Sequence, residues 1–278
     1  MVKIKKMAKN AKVIVLRTAG TNCDKETVFA FKDSGADVDL VHINMLFEGK
    51  KKLSDYHILA LPGGFSYGDD IAAGRILANE LRVKLGKDLK KFIKDGKLII
   101  GICNGFQILV KAGILPGNFS DEKQEFEQTT TLMTNDSAKF EDRWTHLQAT
   151  GQCVWTKDID GKVVYFPVAH GEGKFMCKTD AILNKIQSNR QVVFRYCTKD
   201  GKKALYPDNP NGSVDNIAGI TDSTGRVLGL MPHPERHFFF TQHPFWTRFK
   251  TKSRYGDGAK IFQNGVQYVK KNLLSAIY

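Results

Sequence analysis

Three short apolar runs constrain this chain most: Lys12 to Arg17 (KVIVLR), His57 to Leu61 (HILAL) and Lys97 to Ile102 (KLIIGI). They are nearly continuous rather than alternating, so each reads as a strand covered on both faces, as in a parallel sheet between helical layers. The stretches between them space their apolar residues as helices do. Asp24 to Ser34 predicts a helix with Val28, Phe29 and Phe31 inward, Asp37 to His42 a further strand, and Asp69 to Leu85 a long helix. Strand, glycine turn and helix in repetition give an α/β fold with a mostly parallel, doubly wound, flavodoxin-like sheet.

From Phe126 the pattern changes. Thr129 to Thr131, Trp144 to Gln148, Gln152 to Trp155 and Val163 to Phe166 predict a β-rich, partly antiparallel insertion packed on the same sheet. Asn216 to Thr221 and Arg226 to Met231 return as a hairpin around Asp222 to Gly225, and a helix over roughly Gly256 to Leu274 closes the chain. With no internal repeat, low-complexity stretch or Pro/Ser-rich linker, the 278 residues are expected to form one domain behind a short basic extension at about residues 1–11.

Composition narrows the function classes. Hydrophobic residues make up 42% and charged residues 26%, and no apolar stretch is long enough to span a bilayer, so no membrane role is expected. MVKIKKMAKN lacks the apolar core of a secretory signal, and five cysteines at 23, 103, 153, 177 and 197 form no C-x-x-C pair. Reduced thiols and a cytoplasmic location are the expectation. A net charge of +13 raises nucleic-acid binding. The basic residues, however, fall in separate short groups (Lys3 to Lys12, Lys84 to Lys97, Lys199 to Lys203, Arg248 to Arg254) without regular aromatic interleaving or a known motif. A solvated surface facing an acidic partner or a phosphorylated substrate is the better reading.

Chemistry concentrates where strands end. Gly101-x-Cys103-x-Gly105, between a buried strand and a helix, is the cysteine form of the nucleophile elbow. It puts the Cys103 sulfur at a helix N-terminus, where thiolate is favoured, and aims the Asn104 N–H at an oxyanion. Taken alone, Cys103 is equally a small residue buried behind a core strand. A base and its orienting acceptor come from VLGLMPHPERH: Pro232 and Pro234 stiffen the backbone around His233, and Glu235 can take its second N–H. In isolation the same residues are a surface His–Glu pair capping a helix. Gly63 and Gly64, after the third strand, allow close approach of a ligand and an oxyanion role for Gly64, or form only a tight turn before Asp69 and Asp70. His233 and His237 have a metal-capable spacing, but Pro234 breaks it and no third ligand is evident, so no metal is expected.

With these residues in place, the chain resembles a class I glutamine amidotransferase of the phosphoribosylformylglycinamidine synthase glutaminase type. GTNCD (20–24), PGGFSYGDD (62–70), GICNGFQ (101–107), AHGEGKF (169–175), YPDNPNGSVDNIAGI (206–220) and GLMPHPERH (229–237) carry the resemblance across nearly the whole chain. It implies hydrolysis of L-glutamine through a thioester on Cys103. The ammonia would pass to a synthetase subunit, with a small accessory subunit, which uses ATP and Mg to make formylglycinamidine ribonucleotide in purine synthesis. No cofactor is implied in this chain. It also implies that Gln107, His170 and Gly171 hold glutamine; outside that resemblance Gln107 is a helix-surface amide and His170 a satisfied strand-end histidine. Peptide or simple-amide hydrolysis by an elbow cysteine is the alternative activity. The basic tail and a longer middle, Ser120 to Arg143, depart from the pattern, and Cys23 is expected to be structural or partner-facing.

Overall fold

A computed structural model describes residues 10–117, 125–150, 153–250 and 253–275. The basic extension therefore lies outside the described residues, except at its last positions. The strands are β1 (Ala11–Arg17), β2 (Ala36–His42), β3 (Ile58–Leu61), β4 (Leu98–Ile102), β5 (Thr130–Met133), β6 (Glu141–Ala149), β7 (Val163–His170), β8 (Lys174–Cys177), β9 (Val192–Cys197), β10 (Ile217–Thr221) and β11 (Val227–Leu230). The helices are α1 (Asp24–Asp33), α2 (Asn44–Phe47), α3 (Arg75–Lys94), α4 (Asn104–Lys111), α5 (Asp180–Ser188) and α6 (Ala259–Val269).

Among the described residues, nine strands form one sheet in the order β2-β1-β3-β4-β11-β10-β9-β6-β7. The first five are mutually parallel, and the pairings from β11 through β10, β9 and β6 to β7 are antiparallel. β3, β4 and β11 are buried at every position, as their unbroken apolar composition requires. Among the described residues, no helix is long and apolar enough to cross a membrane.

Several local expectations shift. α1 buries Thr27, Ala30 and Phe31, while Phe29 is half exposed and stands edge-on to Phe238 and Phe239. The long helix begins at Arg75 rather than Asp69, because residues 66–74 form a kinked loop with Tyr67, Gly68, Asp69 and Gly74 at positive φ, and it runs on to Lys94. Val154–Thr156 is a 3₁₀ turn instead of a strand, and it places the fully buried Trp155 against α6. The insertion does not pack on the sheet but extends it through β6 and β7, while β5 pairs with β8 in a separate two-stranded sheet. β8, α5 and β9 are not among the expected elements, although VVFRYC (192–197) is a β-branched and aromatic run and Thr179 before DAILNKIQS is a helix-capping signal.

Candidate active site

Strand order brings the chemical residues together. β4 lies between β3 and β11, with Gly101 in register with both Leu61 and Gly229. The Gly63–Gly64 turn, Cys103 and His233 thus leave three neighbouring strands at one end of the parallel half, where such folds bind ligands.

The elbow is real, and it is strained. Cys103 has φ 53° and ψ −107°, an unfavourable conformation for a side chain with a Cβ, costing on the order of 1–3 kcal/mol. Its flanking glycines are required by contact. A Cβ on Gly105 would stand 1.9 Å from the Leu61 carbonyl oxygen, and one on Gly101 would stand 2.5 Å from that of Gly105. The Cys103 Sγ points to the Ala169 carbonyl at 3.8 Å, so the end of β7 forms a wall of the site although β7 is the sheet's far edge.

His233 is buried and fixed. Its backbone N–H donates to Pro167 O at 2.9 Å, and its Nδ1–H donates to Glu235 Oε1 at 2.6 Å, which leaves Nε2 without a partner among the described residues. Burial pushes the imidazole down, but the Glu235 carboxylate first, and the neighbouring Cys103 second, more than reverse this and hold it well above its ordinary value. With Nδ1 held by the carboxylate, Nε2 is the nitrogen left to exchange a proton with sulfur, and the raised pKa favours the imidazolium that results.

Gly64 has φ 141°, and a Cβ there would meet Gly20 O at 2.6 Å and Asn22 N at 2.7 Å. Asn104 opens α4 and carries one of the N–H groups that a first helical turn leaves free of internal partners. Gln107 is buried; its Oε1 accepts from Asn104 Nδ2 at 2.9 Å, and its Nε2 donates to Glu172 O at 2.7 Å. Both nitrogens of the buried His170 ring are engaged, Nδ1 with Asn135 Oδ1 at 3.1 Å and Nε2 with Asn211 Nδ2 at 3.4 Å. Burial, with the nearby His233, lowers His170 to about 3, so it is neutral. Gly171 O accepts the Asn135 N–H at 2.9 Å.

Cys23 is not partner-facing. It is 1% exposed, with its Sγ 3.8 Å from His233 Nδ1; Arg236 donates to it at 3.1 Å, and it donates to Asn22 Oδ1 at 3.0 Å. A side chain on Gly63 would begin 2.7 Å from His233 Cε1, 3.2 Å from Cys23 Sγ and 3.3 Å from Cys103 Cβ, so the three residues converge on that glycine. Burial raises the Cys23 thiol. Cys23, His233 and Glu235 bring three metal-capable atoms within 4.8 Å of one another, but the Arg236 guanidinium on the Cys23 sulfur opposes a cation there. Of the other cysteines, Cys153 and Cys197 are buried and Cys177 is half-buried; burial pushes Cys153 up to about 12, and among the described residues all five are unpaired. Asn135 and Asn211, which fix His170, and Glu172 beside Gln107 had no assigned role in the sequence. Two of them lie inside quoted motifs, NPNGS and HGEG, which was the available signal.

Comparison with known proteins adds to this geometry. Residues 10–269 match the family model of the CobB/CobQ-like glutamine amidotransferase domain. A phosphoribosylformylglycinamidine synthase subunit PurQ of Dehalococcoides mccartyi is 49% identical over 263 residues, covering 94% of this chain and 98% of its own. Its counterpart in Archaeoglobus fulgidus is 46% identical over 270 residues, covering 94% and 97%. Among solved structures, one described as PurLQS from Thermotoga maritima superposes with a TM-score of 0.71 at 31% identity, covering 94% of this chain and all of that one.

Proposed function

The chain belongs to the CobB/CobQ-like glutamine amidotransferase family, and on that premise we propose its chemistry residue by residue. It is the glutaminase subunit of phosphoribosylformylglycinamidine synthase, acting in purine biosynthesis with a synthetase subunit as partner. The observation that carries the assignment of roles is the strained Cys103 elbow beside a buried His233–Glu235 pair at the end of the adjacent parallel strand.

In our reading His233 Nε2 takes the Cys103 thiol proton, and the thiolate attacks the side-chain amide carbon of L-glutamine. The Gly64 and Asn104 N–H groups stabilise the oxyanion. On collapse the carbon–nitrogen bond breaks, His233 returns the proton to the departing ammonia, and a thioester with Cys103 remains. Water deprotonated by His233 then hydrolyses it to glutamate. Glu235 holds the tautomer throughout. Gln107 lies one turn after the nucleophile, where its remaining N–H is placed to receive glutamine. At residues 170–171 the imidazole is engaged, and so are both carbonyls with Asn135, so we assign the contact with glutamine to the Gly171 N–H.

We place ATP and Mg in the synthetase, with no cofactor or metal in this chain, and expect a small accessory subunit and a cytoplasmic complex without nucleic acid. Replacing Cys103 by Ser should abolish glutamine-dependent amidation in the assembled complex while ammonia-dependent amidation persists. Loss of both activities would refute the division of labour, and retention of glutamine use would refute the nucleophile.

A further inference from the structure

Glu172 has no task in the chemistry above, yet three parts of the site meet on it. Its carboxylate Oε2 accepts the Ala73 N–H at 3.3 Å and the Lys111 ammonium at 3.3 Å, while its carbonyl accepts Gln107 Nε2 at 2.7 Å. Lys111, one helical turn beyond Gln107 on α4, also donates to Ala73 O at 2.6 Å, and its side chain is only 6% exposed. The Glu172 side chain is 32% exposed, so the pair is half-buried: solvent screens part of its attraction while burial of Lys111 costs desolvation, and little net stability is expected from it. What the charged pair adds is direction, because it joins loop 66–74 to α4 and to the segment behind His170.

That loop needs holding. It begins two residues after Gly64 and keeps the non-glycine residues Tyr67 and Asp69 at φ 55° and 56°. Besides Glu172 and Lys111, its ties to α4 run through Asn104, which takes the Ser66 N–H at 3.2 Å and donates to Asp69 at 3.3 Å. Backbone bonds from Phe65 and Tyr67 to Gly20 and Ala19 at 2.8 Å anchor the start of this segment on one side, and the ties to α4 fix its other side. A shift toward or away from α4 would displace the Gly64 N–H from the place where the oxyanion forms, and errors of about 1 Å at such a donor cost up to roughly a hundredfold in rate.

We infer that Glu172 and Lys111 are positioning residues, a strap that holds the Gly64 loop against the nucleophile helix so that the oxyanion donor is in place. This rests on the glutaminase reading. Because that donor acts on the transition state, the strap should govern kcat more than KM.

The test uses the assembled complex with Lys111→Met, Glu172→Gln, the double variant and Lys111→Arg. Lys111→Met and Glu172→Gln should each lower glutamine-dependent kcat roughly tenfold or more, with KM moving less than about threefold. The double variant should be no worse than the poorer single one, and Lys111→Arg should recover most of the rate. Ammonia-dependent amidation and the alkylation of Cys103 by iodoacetamide, which need no oxyanion donor, should stay at the wild-type level. An unchanged kcat, a rise in KM alone, additive losses, or loss of iodoacetamide labelling together with ammonia-dependent activity would each overturn the strap. Wild-type complex that fails to use glutamine would instead overturn the reading beneath it.

Discussion

At Cys103 the chain accepts a positive φ that costs on the order of 1–3 kcal/mol, and in return the nucleophile stands at the start of α4, converging with His233 on Gly63. The base is set by an equally local balance. Burial alone would lower the imidazole, and the Glu235 carboxylate at 2.6 Å is the first influence that reverses it. Glu235→Gln removes that charge, so the folded-state pKa of His233 should drop and glutamine turnover should fall roughly 10²- to 10⁴-fold. The stability consequence has a definite sign. A raised folded pKa stabilises fully below the unfolded value of about 6.5 and ceases to do so as pH climbs through the raised value. Urea midpoints should therefore show the wild type's advantage over Glu235→Gln wide at pH 6 and narrowing toward alkaline pH. A gap that stays constant across that range would contradict the linkage. His170 is the opposite case, since its lowered pKa and two asparagine partners make it a neutral, fixed support.

Among the elements, β3, β4 and β11 decide the site, because their parallel register sets which turns become neighbours. Contact between β3 and α4 is so close that the Gly105 position has no room for a methyl group, with the Leu61 carbonyl 1.9 Å from where it would stand. Gly105→Ala should therefore push α4 off the strand, destabilising the protein on the order of 3 kcal/mol and abolishing glutamine-protected labelling of Cys103. Denaturant unfolding and peptide mapping would check both. If the variant kept wild-type stability and labelling, the elbow's packing would not be what this geometry requires. The 66–74 loop shows why an element can be misplaced from sequence. Asp69 and Asp70 look like helix caps, but Asp69 accepts the Gly74 N–H at 3.0 Å and binds Asn104, so the helix starts only after Gly74.

For the whole molecule, a net charge of +13 acts at long range rather than on the fold. Association with the synthetase is expected to be electrostatically steered. Its on-rate should fall as salt is raised from 50 to 300 mM, roughly tenfold or more, with the off-rate little changed, as stopped-flow mixing would show. A salt-independent on-rate would remove the basic surface from partner recognition. The sequence by itself determined the parallel half of the sheet, the hairpin of β10 and β11, the elbow at Cys103 and the His233–Glu235 pair. Each is written in contiguous residues whose apolar runs, glycines and prolines act within a few positions of one another. It did not determine that β6 and β7 extend the sheet until β7 meets Cys103 through Ala169. Nor did it show that Cys23 and Arg236 close on His233, or that Lys111 and Glu172 meet across 61 residues. Those contacts join segments whose local patterns carry no record of each other. Only burial of the whole sheet, and the pairing of charges that burial enforces, brings them together.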